Sequence, residues 1–152
     1  MSHAPLSPQM EDYLEAILAL CGEHGVARVK DISLRLGVTS PSVVGAIRGL
    51  KRRELVQQEP YGFVRLTAQG EEAARSVAHR HQVLTDFLEN ILGLEHELAA
   101  RDACRIEHAV SPETTERLRA AAELLQTELR PGLGWAKAFT QFYRRRRKHS
   151  TS

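Results

Sequence analysis

The sequence predicts a mostly α-helical chain that carries one short β-hairpin, and three observations support this fold class. Apolar residues recur every three or four positions through most of the chain, which is the helical period. Two such segments, 29–36 and 40–53, are joined by a short turn that contains glycine, which is typical of a helix-turn-helix. Two runs of strand-like composition, 55–59 and 63–66, flank a Pro-Tyr-Gly turn and predict a hairpin, the wing of a winged helix-turn-helix.

The N-terminal helix is predicted to begin after Ser7, whose side chain can cap it, with Pro8 in the first turn. Glycines at positions 22 and 25 end it. The second helix of the helix-turn-helix pair is predicted to bury one apolar stripe. That stripe consists of Val43, Val44, Ile47 and Leu50.

The chain beyond the hairpin is predicted to be all helical. Thr67 caps a long helix that runs to Ile91, with Gly70 an unfavourable residue near its start. A helix over roughly 96–110 follows, and Ser111 caps the next one. A final helix carries the aromatic residues Trp135, Phe139, Phe142 and Tyr143. We expect the first three to pack back on the other helices or on a second subunit rather than to bind a ligand.

These elements predict three parts of the chain. Residues 1–70 form a winged helix-turn-helix domain and residues 71–130 form an all-α domain. Residues 131–152 form the aromatic helix and a basic tail. The basic run 144–147 is expected either to add non-specific affinity for nucleic acid or to be only a solubilising tail.

Composition excludes several classes of protein. A length of 152 residues is enough for one domain or two small ones that share a core. There is no run of about 18 apolar residues that could span a membrane, and the N-terminus lacks the features of a secretory signal. Two distant cysteines do not make a disulfide framework. With a net charge of only +2, any nucleic-acid affinity must come from local charge, and we expect a cytoplasmic protein.

Six side chains of the metal-ligand type fall into two clusters and one intervening histidine: Asp12, Glu15, His81, Cys104, Glu107 and His108. The last three lie at positions i, i+3 and i+4, a spacing that places them on one face of a helix. The first two repeat the i, i+3 spacing near the N-terminus. Sulfur, carboxylate and imidazole are ligands of divalent transition metals, so the sequence predicts a metal site beside a DNA-binding unit.

The ligand types leave the metal open between Mn(II) and Fe(II). The carboxylates of Asp12 and Glu15 are hard ligands that suit both ions. Glu107 could bridge two metals, because a carboxylate has two oxygens. Cys104 as a thiolate shifts the preference toward Fe(II), Co(II) or Zn(II).

Alternatives to the metal site stay open at this point. An Asp-x-x-Glu pair is often only a solvated helix face and a free cysteine is often a small core residue, which would leave a winged-helix regulator that does not sense metal. Cys104 and His108 could in principle pair a nucleophile with a base. However, neighbours on one helix rarely face each other productively, and the sequence contains no phosphate loop, nucleophile elbow or cofactor fingerprint. We therefore expect no enzymatic activity.

The order of these elements and motifs resembles the diphtheria toxin repressor family, and within it the manganese transport regulators. The resemblance covers about residues 8 to 126. It rests on the runs Met10-Glu-Asp-Tyr-Leu-Glu-Ala-Ile17, Leu36-Gly-Val-Thr-Ser-Pro-Ser-Val43, Leu66-Thr-Ala-Gln-Gly70, Arg80-His81 and Asp102-Ala-Cys-Arg-Ile-Glu-His-Ala-Val-Ser111.

The resemblance implies a homodimeric repressor of metal homeostasis that binds double-stranded operator DNA when loaded with Mn2+ or Fe2+, one or two ions per subunit. It places metal binding and dimerisation in the all-α domain. The iron-responsive branch of the family adds a C-terminal SH3-like domain, which we do not expect here because the sequence offers no residues for one. The candidate interface residues are Phe87, Leu88, Ile91 and Leu92. Cysteine at position 104 is typical of the iron-responsive branch, whereas aspartate at position 12 is typical of the manganese branch.

DNA recognition is expected from the helix that begins at Ser40. The candidate DNA-binding residues are Lys30, Thr39, Ser40, Pro41, Ser42, Arg48, Lys51 and Arg52. Hydroxyl groups near the helix start can reach phosphates or base edges, proline can touch a thymine methyl, and the basic side chains suit phosphates. Family members usually carry a longer polar side chain at the position of Gly45. Tyr61 at the wing tip is expected either to approach the minor groove or to cap the hairpin.

Overall fold

The computed structural model describes residues 5–59, 62–127 and 134–149. The elements in this part of the chain are α1 (Pro8–His24), β1 (Ala27–Arg28), α2 (Val29–Leu36), α3 (Ser40–Arg52), β2 (Val56–Gln58), β3 (Phe63–Leu66), α4 (Ala68–Asp86), a π-helical segment (Phe87–Ile91), α5 (His96–Ile106), α6 (Pro112–Thr127) and α7 (Trp135–His149). They form two compact units, Met1–Ala78 and His79–Ser152. The fold is mostly helical with one small sheet, as predicted.

The first unit is a winged helix-turn-helix. Three helices pack around a core that includes Leu14, Ile32 and Leu50, each fully buried. The antiparallel sheet has the strand order β1-β3-β2, and Val56 pairs with Leu66 across the hairpin. The strand β1 has only two residues, which is too short for an alternating pattern to predict it. The tip residues 60 and 61, which include the predicted wing-tip tyrosine, lie outside the described residues.

Two capping predictions are confirmed in the first unit. The hydroxyl oxygen of Ser7 accepts the N–H of Met10 at 3.3 Å and caps α1. The hydroxyl oxygen of Thr67 accepts the N–H of Gly70 at 3.0 Å and caps α4, while its O–H donates to the carbonyl of Glu54 at 2.7 Å. The second bond ties the start of α4 to the turn between α3 and β2.

Gly70 is required by packing, although helix propensity alone disfavours it. A Cβ atom at this position would lie 1.8 Å from the carbonyl oxygen of Leu55. The first turn of α4 therefore lies directly against backbone at the end of the hairpin, and any side chain would force the two apart.

The prediction that Val44 belongs to the buried stripe of α3 is wrong. Its neighbour Val43 is fully buried, whereas Val44 is 36% exposed. The cause is the helical turn of 3.6 residues, which rotates adjacent side chains by about 100°. Leu34 on α2 is likewise 72% exposed. Periodicity identified the buried faces of both helices but not the limits of those faces.

The second unit contains the end of α4, the π-helical segment and the three C-terminal helices. Its buried residues include Leu84, Ile91, Ala99 and Ala103. Gly93 ends the π-helical segment with a φ of 70°, a backbone conformation that glycine adopts without strain. The predicted cap of α6 is confirmed, because the hydroxyl oxygen of Ser111 accepts the N–H of Thr114 at 3.2 Å.

One expectation for the second unit needs correction. The fifth helix ends at Ile106 rather than near Val110, and it closes in a turn where the Ala109 N–H donates to the Ile106 carbonyl at 2.9 Å. Phe142 is 54% exposed within the single chain, so of its two predicted locations the contact with a second subunit stays a prediction. Of the candidate interface residues, Ile91 is already buried within the chain, while the other three are half-buried.

Each helix in the described ranges is too short or too polar to cross a lipid bilayer.

Candidate metal centre and DNA-reading helix

The second unit brings together three of the six predicted metal ligands, two imidazoles and the buried carboxylate that lies between them. Glu107 follows α5 directly and keeps its helical geometry, since its N–H donates to the Ala103 carbonyl at 2.9 Å. Nδ1 of His81, on α4, lies 2.6 Å from Oε2 of Glu107. Nε2 of His108 lies 3.5 Å from Oε1 of the same carboxylate. The Glu107 side chain is 0% exposed, that of His108 11% and that of His81 30%, so two imidazoles, one of them partly open to solvent, share a buried carboxylate.

One oxygen of this carboxylate lacks a hydrogen bond. Oε1 of Glu107 is buried without a hydrogen-bond partner among the residues that the structure describes. A buried carboxylate oxygen left in this state costs free energy, which a coordinated cation would offset. One carboxylate and two imidazoles are also donors that a divalent transition metal accepts. The residues present therefore fit a metal.

Arg80 holds the backbone of this site and was missed as a functional residue in the sequence. Its Nε donates to the backbone carbonyl of Glu107 at 2.9 Å, which ties the end of α5 to α4. Arg80 precedes His81 in the chain, so α4 supplies both the imidazole beside the Glu107 carboxylate and the hydrogen bond to the Glu107 backbone. Only the proximity of these two residues in the sequence could have suggested this role.

Cys104 lies in a different environment from Glu107, although both belong to the same predicted cluster. It is on α5, one helical turn earlier, and it is exposed and not in a disulfide. Because α5 ends at Ile106, His108 lies in the following turn rather than on the helix. The three residues therefore do not share one helical face, and the role of Cys104 as a ligand stays a prediction.

The remaining two predicted ligands lie in the first unit, on α1. Asp12 and Glu15 are both half-buried and share one face of the helix. Tyr13, which follows Asp12, is buried, and its pKa is raised by burial and by the negative charge of Asp12. These two carboxylates lie on the helix that packs against the helix-turn-helix of the same unit.

Helix α1 contacts the predicted DNA-reading helix directly. A Cβ atom built on Gly49 of α3 would lie 2.9 Å from Cε of Met10 on α1. Glycine at this position lets the two helices approach closely, and Met10 is only two residues before Asp12. The side chain of Met10 therefore packs directly against the backbone of α3.

All eight predicted DNA-binding residues are exposed. On α3 they belong to an outward face that runs the length of the helix, opposite the buried Val43, Ile47 and Leu50. Two hydroxyls at the helix start are partly used within the protein: Oγ1 of Thr39 lies 2.9 Å from Oγ of Ser42 and accepts the N–H of Ser42 at 3.4 Å. The basic side chains at the other end are available to phosphates.

Comparisons with known proteins assign both parts of the chain. Residues 5–64 match the family model of the iron dependent repressor N-terminal DNA binding domain, and residues 67–129 match that of the iron dependent repressor metal binding and dimerisation domain. The transcriptional regulator MntR of Escherichia coli O157:H7 is 41% identical over 110 residues, which are 72% of this chain and 70% of that protein.

Two solved structures share the fold. The IdeR protein of T. acidophilum superimposes with a TM-score of 0.68 at 28% identity, covering 79% of this chain and 55% of that one. A manganese-dependent transcriptional repressor in complex with manganese gives a TM-score of 0.67 at 30% identity, covering 77% of this chain and 54% of that one. The chain thus spans a little over half the length of both solved proteins.

Proposed function

Because this chain belongs to the iron-dependent repressor family, it is a metal-responsive transcriptional repressor and not an enzyme, and we propose that Mn(II) or Fe(II) loads it. The observation that carries this proposal is the buried carboxylate of Glu107, whose Oε1 has no hydrogen bond within the described ranges and which lies beside the imidazoles of His81 and His108. The sequence similarity to a manganese-dependent repressor supports Mn(II) in particular.

We propose six ligands for one or two metal ions per subunit. They are Asp12, Glu15, His81, Cys104, Glu107 and His108. The first two come from α1 and the rest from α4, α5 and the turn that follows. Oxygen and imidazole donors suit Mn(II) and Fe(II). Because the thiol of Cys104 is exposed, we propose that the oxygen and imidazole donors dominate the site.

This ligand set explains how metal binding would control DNA binding. The two α1 carboxylates belong to the helix on which α3 packs through Met10 and Gly49. A metal that engages them restricts the position of α1, and with it that of the reading helix. A dimer must present two such helices about one DNA turn apart, roughly 34 Å. Metal then selects the arrangements that fit the operator, and operator DNA tightens metal binding by the same factor.

The proposed DNA contacts follow from the exposed face of the first unit. Arg48, Lys51, Arg52 and Lys30 suit phosphates, which position the protein, whereas the residues at the start of α3 face the base edges. We propose that the partner is double-stranded operator DNA bound by a homodimer in the cytoplasm. The family's dimerisation domain matches residues 67–129, which supports the dimer.

Calorimetric titration of chelator-stripped protein tests the metal site. Mn(II), anaerobic Fe(II) and Zn(II) are titrated into wild type and into a variant that combines Asp12→Ala with Glu107→Ala. The proposal expects micromolar binding that this variant loses. Glu113→Gln is the matched control, since Glu113 is an exposed glutamate paired with Arg117 near the same turn. Binding that is indifferent to Asp12 and Glu107 would overturn the site.

A second measurement tests the switch itself. Fluorescence anisotropy gives operator affinity with Mn(II) and after chelation, in wild type and in the same variant. The proposal expects chelation to weaken DNA binding of the wild type and to leave the variant, already weak, unchanged. Equal affinity with and without metal would contradict control by metal.

A further inference from the structure

The outward face of α3 has an apolar half and a basic half. Pro41, Val44, Gly45 and Arg48 follow the helical spacing i, i+3, i+4 and i+7, and all are exposed. The basic residues Lys51 and Arg52 continue this face toward the C-terminal end. The half at the N-terminal end carries no charged side chain.

Val44 is held in this exposed position by a well-packed helix. Its neighbour Val43 is 0% exposed and Ile47 is 2% exposed, so the opposite face of the helix is fixed in the core. The valine therefore projects from a rigid support. Beside it, a Cβ atom built on Gly45 would have nothing within 4 Å, so the surface there is open.

We propose that Val44 determines operator sequence by contacting thymine 5-methyl groups in the major groove. This inference rests on the proposed function, in which α3 reads operator DNA. The residues at the N-terminal end of a recognition helix face base edges. Among the groups that base pairs display in the major groove, the thymine methyl is the one that apolar side chains contact. The open surface at Gly45 lets the bases approach the isopropyl group.

The alternative means of base recognition at this end of the helix are limited. The hydroxyls of Thr39 and Ser42 lie 2.9 Å apart, and that of Thr39 also accepts a backbone N–H, so part of their hydrogen-bonding capacity serves the helix cap. Gly45 has no side chain to form a bidentate contact with a base. Apart from Pro41, which can also touch a thymine methyl, Val44 is thus the residue on this half of α3 that can contact bases through an apolar side chain.

The test replaces thymine by deoxyuridine, which lacks only the methyl group. Operator sequences are first selected from a random duplex library with Mn(II)-loaded wild-type protein. Single thymines in the selected site are then changed, and affinity is measured by anisotropy. Removal of one contacted methyl should weaken wild-type binding about fourfold, and removal from both half-sites of a dimer about 15-fold.

Variants assign the effect to the valine. Val44→Ala should bind the thymine operator about as weakly as wild type binds the operator with deoxyuridine at the positions that Val44 contacts, and it should lose the sensitivity to deoxyuridine at those positions. Val44→Thr, which keeps one methyl, should retain part of it. Leu34→Ala is the control, because Leu34 is an exposed apolar residue on α2 and not on this face; it should retain the full effect.

The possible failures are distinguishable. If metal-loaded wild type selects no DNA, the proposed function fails and the inference fails with it. If wild type selects an operator but is insensitive to deoxyuridine at every position, or if folded Val44→Ala keeps the full sensitivity, only the inference is overturned. Circular dichroism confirms the fold of each variant.

Discussion

Gly70→Ala should destabilise the first unit even though alanine is the better helix former. The added Cβ atom would lie 1.8 Å from the carbonyl oxygen of Leu55 and 2.8 Å from its carbonyl carbon. To reach van der Waals contact, α4 and this carbonyl must separate by roughly 1.5 Å. Leu55 is only 5% exposed, and its carbonyl accepts the N–H of Thr67 at 3.0 Å. The separation therefore also weakens the bond that positions the start of α4.

The magnitude follows from three contributions. Overpacking of a buried backbone contact costs up to about 3 kcal/mol. Loss of the Thr67 to Leu55 hydrogen bond adds about 1 kcal/mol. The higher helix propensity of alanine returns about 1 kcal/mol. We expect a net decrease of about 2–3 kcal/mol in the free energy of unfolding.

Urea unfolding followed by circular dichroism measures this change, and Gly22→Ala provides the matched control. Gly22 also lies in a helix, α1, but a Cβ atom there would meet nothing within 4 Å. The same substitution should therefore stabilise the protein there by about 0.5–1 kcal/mol, since only propensity acts. A Gly70→Ala variant as stable as wild type, or one stabilised like Gly22→Ala, would refute the close approach at Leu55.

Three further predictions test the metal site, a helix cap and a surface ion pair. Mn(II) at one hundred times its dissociation constant should stabilise wild type by about 2.7 kcal/mol and raise its melting temperature, and Glu107→Gln should lose this rise. Scanning fluorimetry should show that Glu113→Gln keeps the rise, whereas an equal rise in Glu107→Gln would contradict the site. Thr67→Val, which removes the cap of α4, should lower the free energy of unfolding by about 1–2 kcal/mol in urea, whereas Thr67→Ser should restore most of it; equal loss in both would contradict the capping role. The hydrogen bond from Arg35 lowers the pKa of Glu23. The pair therefore stabilises the fold above the ordinary pKa of glutamate, and this contribution disappears as the pH falls through the lowered value. The difference in unfolding free energy between wild type and Glu23→Gln should vanish in acid, and a difference that persists there would rule out this ion pair as its cause.

Features that depend on a few neighbouring residues could be predicted from the sequence. The caps at Ser7, Thr67 and Ser111 each need only a hydroxyl three residues before an N–H, and all three are present. The turn at Gly37 follows from the same local chemistry, because a φ of 64° favours glycine. Such signals are short-range, so folding of the rest of the chain does not alter them.

Periodicity predicted helix faces but not which residues at their edges are buried. Positions 43 and 44 both carry valine and both belong to the predicted apolar stripe, yet Val43 is in the core and Val44 faces outward. Cys104 and Glu107 are separated by one helical turn, and one is exposed while the other is buried. The difference depends on what packs against each helix, which no local pattern encodes.

The sequence by itself determined the winged helix-turn-helix and the helical second part, and it predicted the types of side chain that could hold a metal, because each depends on residue chemistry and short spacing. Only the tertiary structure decided that His81, 26 residues before Glu107, reaches its carboxylate, and that one oxygen of this carboxylate is left without a hydrogen bond in the described chain. It also decided that Gly70 must be a glycine. Such facts arise where distant segments meet, and their positions are set by the packing of the whole core rather than by any segment alone.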